Sequence, residues 1–133
     1  MRVFLDTNVL ASAFATRGIC SDILREVLSS HDLYTSTEVL KELRDVLKNK
    51  FGFPENLIER IFLFLQREAN MAYSQEQVKI SIQDKTDIPI INAAISTGIH
   101  IFVTGDKELQ ELSRIGNIKI ISPRKFWELL KTQ

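Results

Sequence analysis

With one cysteine in 133 residues, the chain has no intramolecular disulfide and no multi-cysteine metal cluster. That usage suits a reducing compartment. Three prolines and five glycines mark no linker, repeat or low-complexity stretch. No apolar run approaches the ~18 residues of a membrane helix, and the first residues show no n-region, h-region and cleavage site. The expectation is a soluble cytoplasmic protein. Net charge is also missing: 17 basic and 17 acidic residues cancel. Nothing in bulk pulls the chain toward nucleic acid, so any such binding must come from a local patch. Of the two histidines, neither His31 nor His100 has a Ser, Cys or His partner at a recognisable spacing, and both read as structural. What is present is ordinary for a globular chain, 44% hydrophobic and 26% charged. One domain over residues 1–133 is expected, able to bury roughly two-thirds of its unfolded surface.

Strand and helix patterns alternate. Residues 2–5 carry Val3-Phe4-Leu5, an uninterrupted apolar run of the kind found in strands buried on both faces. Asn8–Ala15 has helical spacing, and Arg17-Gly18 breaks it. A second helix opens near Cys20 or Ser21, with Ile23, Leu24, Val27 and Leu28 on one face. A strand over 31–35 follows, then a helix capped by Ser36 or Thr37 that runs to about Lys50. Phe51-Gly52-Phe53-Pro54 stops it. Residues 55–69 form an apolar-rich helix, 70–74 a third strand, and 78–82 an alternating stretch. A helix over 88–97 ends at Gly98. Residues 100–104 form a strand, 106–112 a helix and 118–121 a last strand. Ser122-Pro123 starts the final helix. This alternation predicts an α/β fold, a parallel sheet with helices on both faces.

Acids recur at the ends of these elements. Asp6, with Thr7 and Asn8, follows the first strand. Asp106 follows Ile101-Phe102-Val103-Thr104-Gly105 in the same manner. Two strands of one parallel sheet therefore deliver two acids to one edge, where α/β sheets bind ligands. If the strands are neighbours, the carboxylates lie close, and like charges that close need a cation or a proton between them. The plain alternative is that each caps the helix after it. Asp87 precedes Ile90, Ile91, Ala94 and Ile95 by three, four, seven and eight residues, which puts it at the N-terminal tip of that helix's apolar stripe. Asp84 is an auxiliary acid. Glu42 lies at the border of the arc formed by Val39, Leu40, Leu43, Val46 and Leu47, where a cleft-lining carboxylate would sit. Four acids with Thr and Asn beside two of them make an oxygen-rich set suited to Mg²⁺ or Mn²⁺. Phosphodiester hydrolysis is the chemistry that most needs such a set.

Leu5-Asp6-Thr7-Asn8-Val9, Glu42-Leu43, Asp87 ahead of Ala93-Ala94, and Thr104-Gly105-Asp106-Lys107-Glu108-Leu109 together resemble a PIN domain. The likeness is to the small VapC-like toxins of toxin–antitoxin systems and covers nearly the whole chain. It implies a three-layer sandwich with parallel strand order 3-2-1-4-5, and a Mg²⁺- or Mn²⁺-dependent endoribonuclease. It also implies an RNA substrate, an antitoxin protein partner and a homodimer. By motif match Asp6, Glu42, Asp87 and Asp106 take the acidic, metal-holding positions, and Asn8 and Thr104 the supporting polar ones, with Thr7 alongside. Ile88 stands where relatives often carry a polar residue.

Arg17 and Lys107, with Arg25 and Lys85, are candidate phosphate contacts near the acidic edge. Lys41, Arg44 and Lys48 form a basic stripe that reads as a solvated face. Cys20 reads as packed. The helix around Leu57, Ile58, Ile61, Phe62 and Leu65 leaves Leu63 and Phe64 outside its stripe, either as a wide core contact or as a partner-facing patch. Two rivals stand beside the nuclease. One is a non-catalytic PIN-fold protein-binding module. The other is a phosphoryl-transfer domain forming an aspartyl-phosphate, although Asn8 stands where haloacid-dehalogenase-like enzymes place a second Asp.

Overall fold

The computed structural model describes residues 1–72 and 88–132. Within them the order is β1 (Arg2–Leu5), α1 (Thr7–Ala15), α2 (Ile19–Ser30), β2 (Asp32–Thr35), α3 (Thr37–Asn49), α4 (Glu55–Glu68), β3 (Asn70–Met71), α5 (Ile88–Ser96), β4 (Ile101–Val103), α6 (Lys107–Leu112), β5 (Arg114–Ile115), β6 (Ile118–Ile121) and α7 (Pro123–Lys131). The alternating stretch at 78–82 and the second half of the expected third strand lie outside the described residues.

The apolar run of β1 dictates where it sits. Val3, Phe4 and Leu5 have no exposed surface, which requires strands on both sides and helices above and below. The sheet order is β3-β2-β1-β4-β6-β5. β1 pairs in parallel with β2 and with β4, Phe4 opposite both Tyr34 and Phe102. The Phe4 and Phe102 rings stack with centroids 5.2 Å apart. The five strands expected from sequence thus take the expected order, with 118–121 as the fifth.

Among the described residues one strand is additional. β5 is two residues long, runs antiparallel to β6 and closes the edge, with Arg114 opposite Lys119. It is too short to show periodicity. Its signal is the Gly116-Asn117 pair between Ile115 and Ile118, a hairpin dipeptide, with Gly116 at φ 58°.

Across the helices, α1 packs on α2 and α3, α2 on α7, and α3 on α4 and α5. The described apolar residues form one continuous core. The basic stripe of α3 departs from a plain solvated face. Lys41 and Lys48 are exposed, but Arg44 is half-buried. Its guanidinium bonds Glu55 and Glu59 of α4 and lies 4.7 Å from the centre of the Phe62 ring, tying the two helices together. On α4, Leu63 is 64% exposed, while Phe64 meets Phe14 edge-on. No helix among the described residues is long and apolar enough to cross a membrane.

Candidate active site

Four adjacent parallel strands lead into oxygen-bearing residues: Thr35 at the end of β2 with Ser36 next, Asp6-Thr7 after β1, Thr104 after β4, and Ser122 after β6. Each lies just ahead of a helix. Ser36 Oγ accepts from the Val39 amide of α3, and Ser122 Oγ from the Lys125 amide of α7. The chain leaves β1 toward β2 on one side, and β4 lies on the other. The β1–β4 boundary is therefore where the strand order reverses, and ligands of open α/β sheets bind at that boundary.

Asp6 sits at that boundary, 8% exposed. Its Oδ1 accepts from the Thr7 amide at 2.8 Å and its Oδ2 from the Thr104 hydroxyl at 2.7 Å. The same hydroxyl accepts from the Asp106 amide at 3.0 Å. Thr104 therefore links the two acids, giving its proton to one and a lone pair to the backbone of the other. Asp106 caps α6: its Oδ1 accepts from the amides of Glu108 and Leu109 at 2.8 and 3.2 Å. Both bonds fall on one oxygen, and among the described residues Oδ2 takes no hydrogen bond. Capping and convergence hold together. Asp6 and Asp106 each cap a helix, and they meet through Thr104 because their strands are neighbours.

Glu42 is half-buried on α3, as its border position predicts. Its Oε2 accepts from the Thr7 hydroxyl at 2.9 Å. Thr7 is thus bonded to Asp6 through its amide and to Glu42 through its side chain. Asp6, Glu42 and Asp106 share one network with Thr7 and Thr104 as its joints. Asp84 and Asp87, and the candidate contact Lys85, lie outside the described residues.

The remaining candidates spread out. Asn8 is exposed on the first turn of α1, and Lys107 is exposed at the start of α6. Arg17 is exposed just past the far end of α1, separated from Asp6 by nine helical residues, about 13 Å of rise. Arg25 faces Asp22 at 3.8 Å. Cys20 is half-buried, and burial pushes its thiol pKa up, which suits a packing residue.

Two site neighbours escape a sequence reading. The Gln110 amide donates to the Thr104 carbonyl at 2.7 Å. The available signal was its position four residues after Asp106, one helical turn along the same face. Thr35 is 1% exposed at the end of β2, and its hydroxyl is the one buried side-chain polar atom among the described residues with no hydrogen-bond partner.

The donors at this edge are carboxylate and hydroxyl oxygens, with no sulfur or imidazole in the described network. That chemistry fits a hard divalent cation. The described residues do not close such a site by themselves, since no three His, Cys, Asp or Glu side chains among them form a group able to hold a metal.

A family model described as PIN domain matches residues 2–108. No curated protein matches the chain significantly. Among solved structures, VapBC2 from Rickettsia felis, crystallised bound to a DNA fragment from the promoter, is similar with a TM-score of 0.63 and 18% identity over 92% of this chain and 98% of that one. VapBC-1 from nontypeable Haemophilus influenzae is similar with a TM-score of 0.62 and 20% identity over 93% of this chain and 99% of that one.

Proposed function

Since the chain belongs to the PIN domain family, we propose that it is a divalent-metal-dependent endoribonuclease acting as the toxin of a toxin–antitoxin pair. The observation that carries the reading is the joined network of Asp6, Thr104, Asp106, Thr7 and Glu42 at the strand-order reversal. Three acids at one edge repel a phosphodiester, so a phosphate substrate there requires a cation. Asp6 and Asp106, with Asp87 by motif match, would hold Mg²⁺ or Mn²⁺, and Glu42 would complete the set or orient water. A cation so held would supply charge neutralisation at phosphate oxygens and a more acidic bound water.

The chain's own residues supply the rest. Thr104 keeps Asp6 oriented by donating to Oδ2, and Thr7 does the same for Glu42. Helices α1, α3 and α7 all begin at this edge, and their N-terminal ends favour an approaching anion. The two VapBC structures support an antitoxin partner. In this reading the toxin acts as a homodimer.

The test is cleavage of single-stranded RNA by the purified protein. The expected result is Mn²⁺-dependent cutting that disappears in chelator and falls by about 10²-fold or more in Asp6→Asn. Equal behaviour of Asp6→Asn and wild type would overturn the nuclease. The second reading, a non-catalytic PIN-fold binding module, draws on Leu63, exposed on α4, and predicts no cleavage by either protein.

A further inference from the structure

A cavity of about 650 Å³ lies beside the acidic edge, between the β5–β6 hairpin, the end of α6 and one face of α7. Three cations line it: Arg114, Lys119 and Lys125. Each is exposed, and among the described residues none has a carboxylate within ion-pair distance. Glu128 is the one acid in the described lining.

Each cation stands where local electrostatics disfavour it. Arg114 and Lys119 are direct partners across the antiparallel β5–β6 pair, so their side chains leave the same face, and like charges so placed destabilise a hairpin. Lys125 lies in the first turn of α7, which has no acidic residue, and a cation at a helix N-terminus opposes the helix dipole. Ser113, at the mouth of the hairpin, holds a left-handed φ of 60°, a conformation unfavourable for a residue other than glycine. Local rules broken together in one place mark a site whose missing charge arrives with a ligand. Although the whole chain is neutral, residues 114–131 hold Arg114, Lys119, Arg124, Lys125 and Lys131 against Glu128 alone.

The cavity also connects to the acids. Gln110 lines it and donates to the Thr104 carbonyl, while the Thr104 hydroxyl donates to Asp6. Ser122, another lining residue, ends the strand beside β4. From Ser122 back to Lys119 is three residues of strand, about 10 Å. The groove thus begins at the end of β6, one strand over from β4, and runs back along β6 toward the β5–β6 hairpin.

We propose that this groove binds the phosphodiester backbone of single-stranded RNA flanking the bond cut at the Asp6 edge, with Arg114, Lys119 and Lys125 each taking a phosphate. The assignment rests on the nuclease reading for its substrate but concerns binding and is separable from cleavage. The measurement is binding of a fluorescently labelled single-stranded RNA by anisotropy, in chelator so that no cutting occurs, across a salt series. For Arg114→Gln/Lys119→Gln/Lys125→Gln the affinity should fall about tenfold or more. The slope of log K against log salt should become shallower by about 2, at about 0.7 for each phosphate no longer neutralised. Glu128→Gln should bind more tightly than wild type, a change of opposite sign that loss of folding cannot mimic. Lys41→Gln/Arg60→Gln/Lys48→Gln removes the same charge elsewhere and should change the slope little. The groove is overturned if its triple variant binds with wild-type affinity and slope, if the control triple loses as much, or if Glu128→Gln does not tighten binding. Groove-dependent binding without Asp6-dependent cleavage would overturn the nuclease alone.

Discussion

Thr104 is the residue on which the site's geometry turns. It is fully buried, and its single hydroxyl serves Asp6 and the Asp106 amide at once. Replacing it by valine keeps the shape and leaves both groups short of a partner. Thr104→Val should therefore cost about 1–3 kcal/mol in urea unfolding, while Thr104→Ser recovers most of that. A valine variant as stable as wild type would remove Thr104 from the network. The sequence marks Thr104 as a polar residue at a strand end beside an acid. It does not show which atom bonds which, because that depends on β1 and β4 being neighbours. Thr35 illustrates the limit better. It follows Leu33-Tyr34 as Asp6 follows Phe4-Leu5, but without a charge or motif nothing in the sequence separates it from any threonine ending a strand.

At the scale of elements, the same device recurs: a buried strand, a polar residue that stops it and caps the next helix, then the helix. Ser36 shows its worth. It is fully buried and its side chain accepts from the Val39 amide, one of the amides that a helix start leaves unpaired. Ser36→Ala should lower stability by about 1–2 kcal/mol, read as a lower denaturation midpoint. On the proposed nuclease reading it should also weaken RNA cleavage, because α3 carries Glu42. No loss of stability would mean that another group replaces the cap. These helices were legible because periodicity and caps are local properties. The β5 strand was not, since two residues carry no period and only the Gly116-Asn117 turn announces them. The role of Arg44 was hidden for another reason: its partners Glu55 and Glu59 belong to another helix, and helical spacing places a residue only relative to its own axis.

For the whole molecule, His31 couples folding to pH. It follows α2, and its Nδ1 lies 3.2 Å from the Met1 amine. Burial of the ring, then the Met1 ammonium, lowers its pKa from 6.5, while Glu26 and Asp32 pull it partly back. The unfolded chain therefore takes up this proton before the folded one does as pH falls. Stability rises with pH across the interval from the folded pKa up to about 6.5, and is lost on acidification through it. Urea midpoints between pH 7.5 and 5.5 should fall in wild type and fall less in His31→Gln. Equal slopes would mean that the ring titrates alike in both states.

The sequence alone determined the seven helices and every strand but β5 among the described residues, that β1 is buried on both faces, and that acids follow β1 and β4. Each follows from spacing along one chain. It also carried the motifs by which the chain belongs to the PIN family. Only the tertiary structure decided that Thr104 joins Asp6 to Asp106, that Thr7 joins Asp6 to Glu42, and that three cations of a neutral chain share one groove beside them. Those facts join residues up to 98 positions apart. Charge and hydrogen bonding act through distance in space, which a linear pattern does not contain until the sheet has set its order.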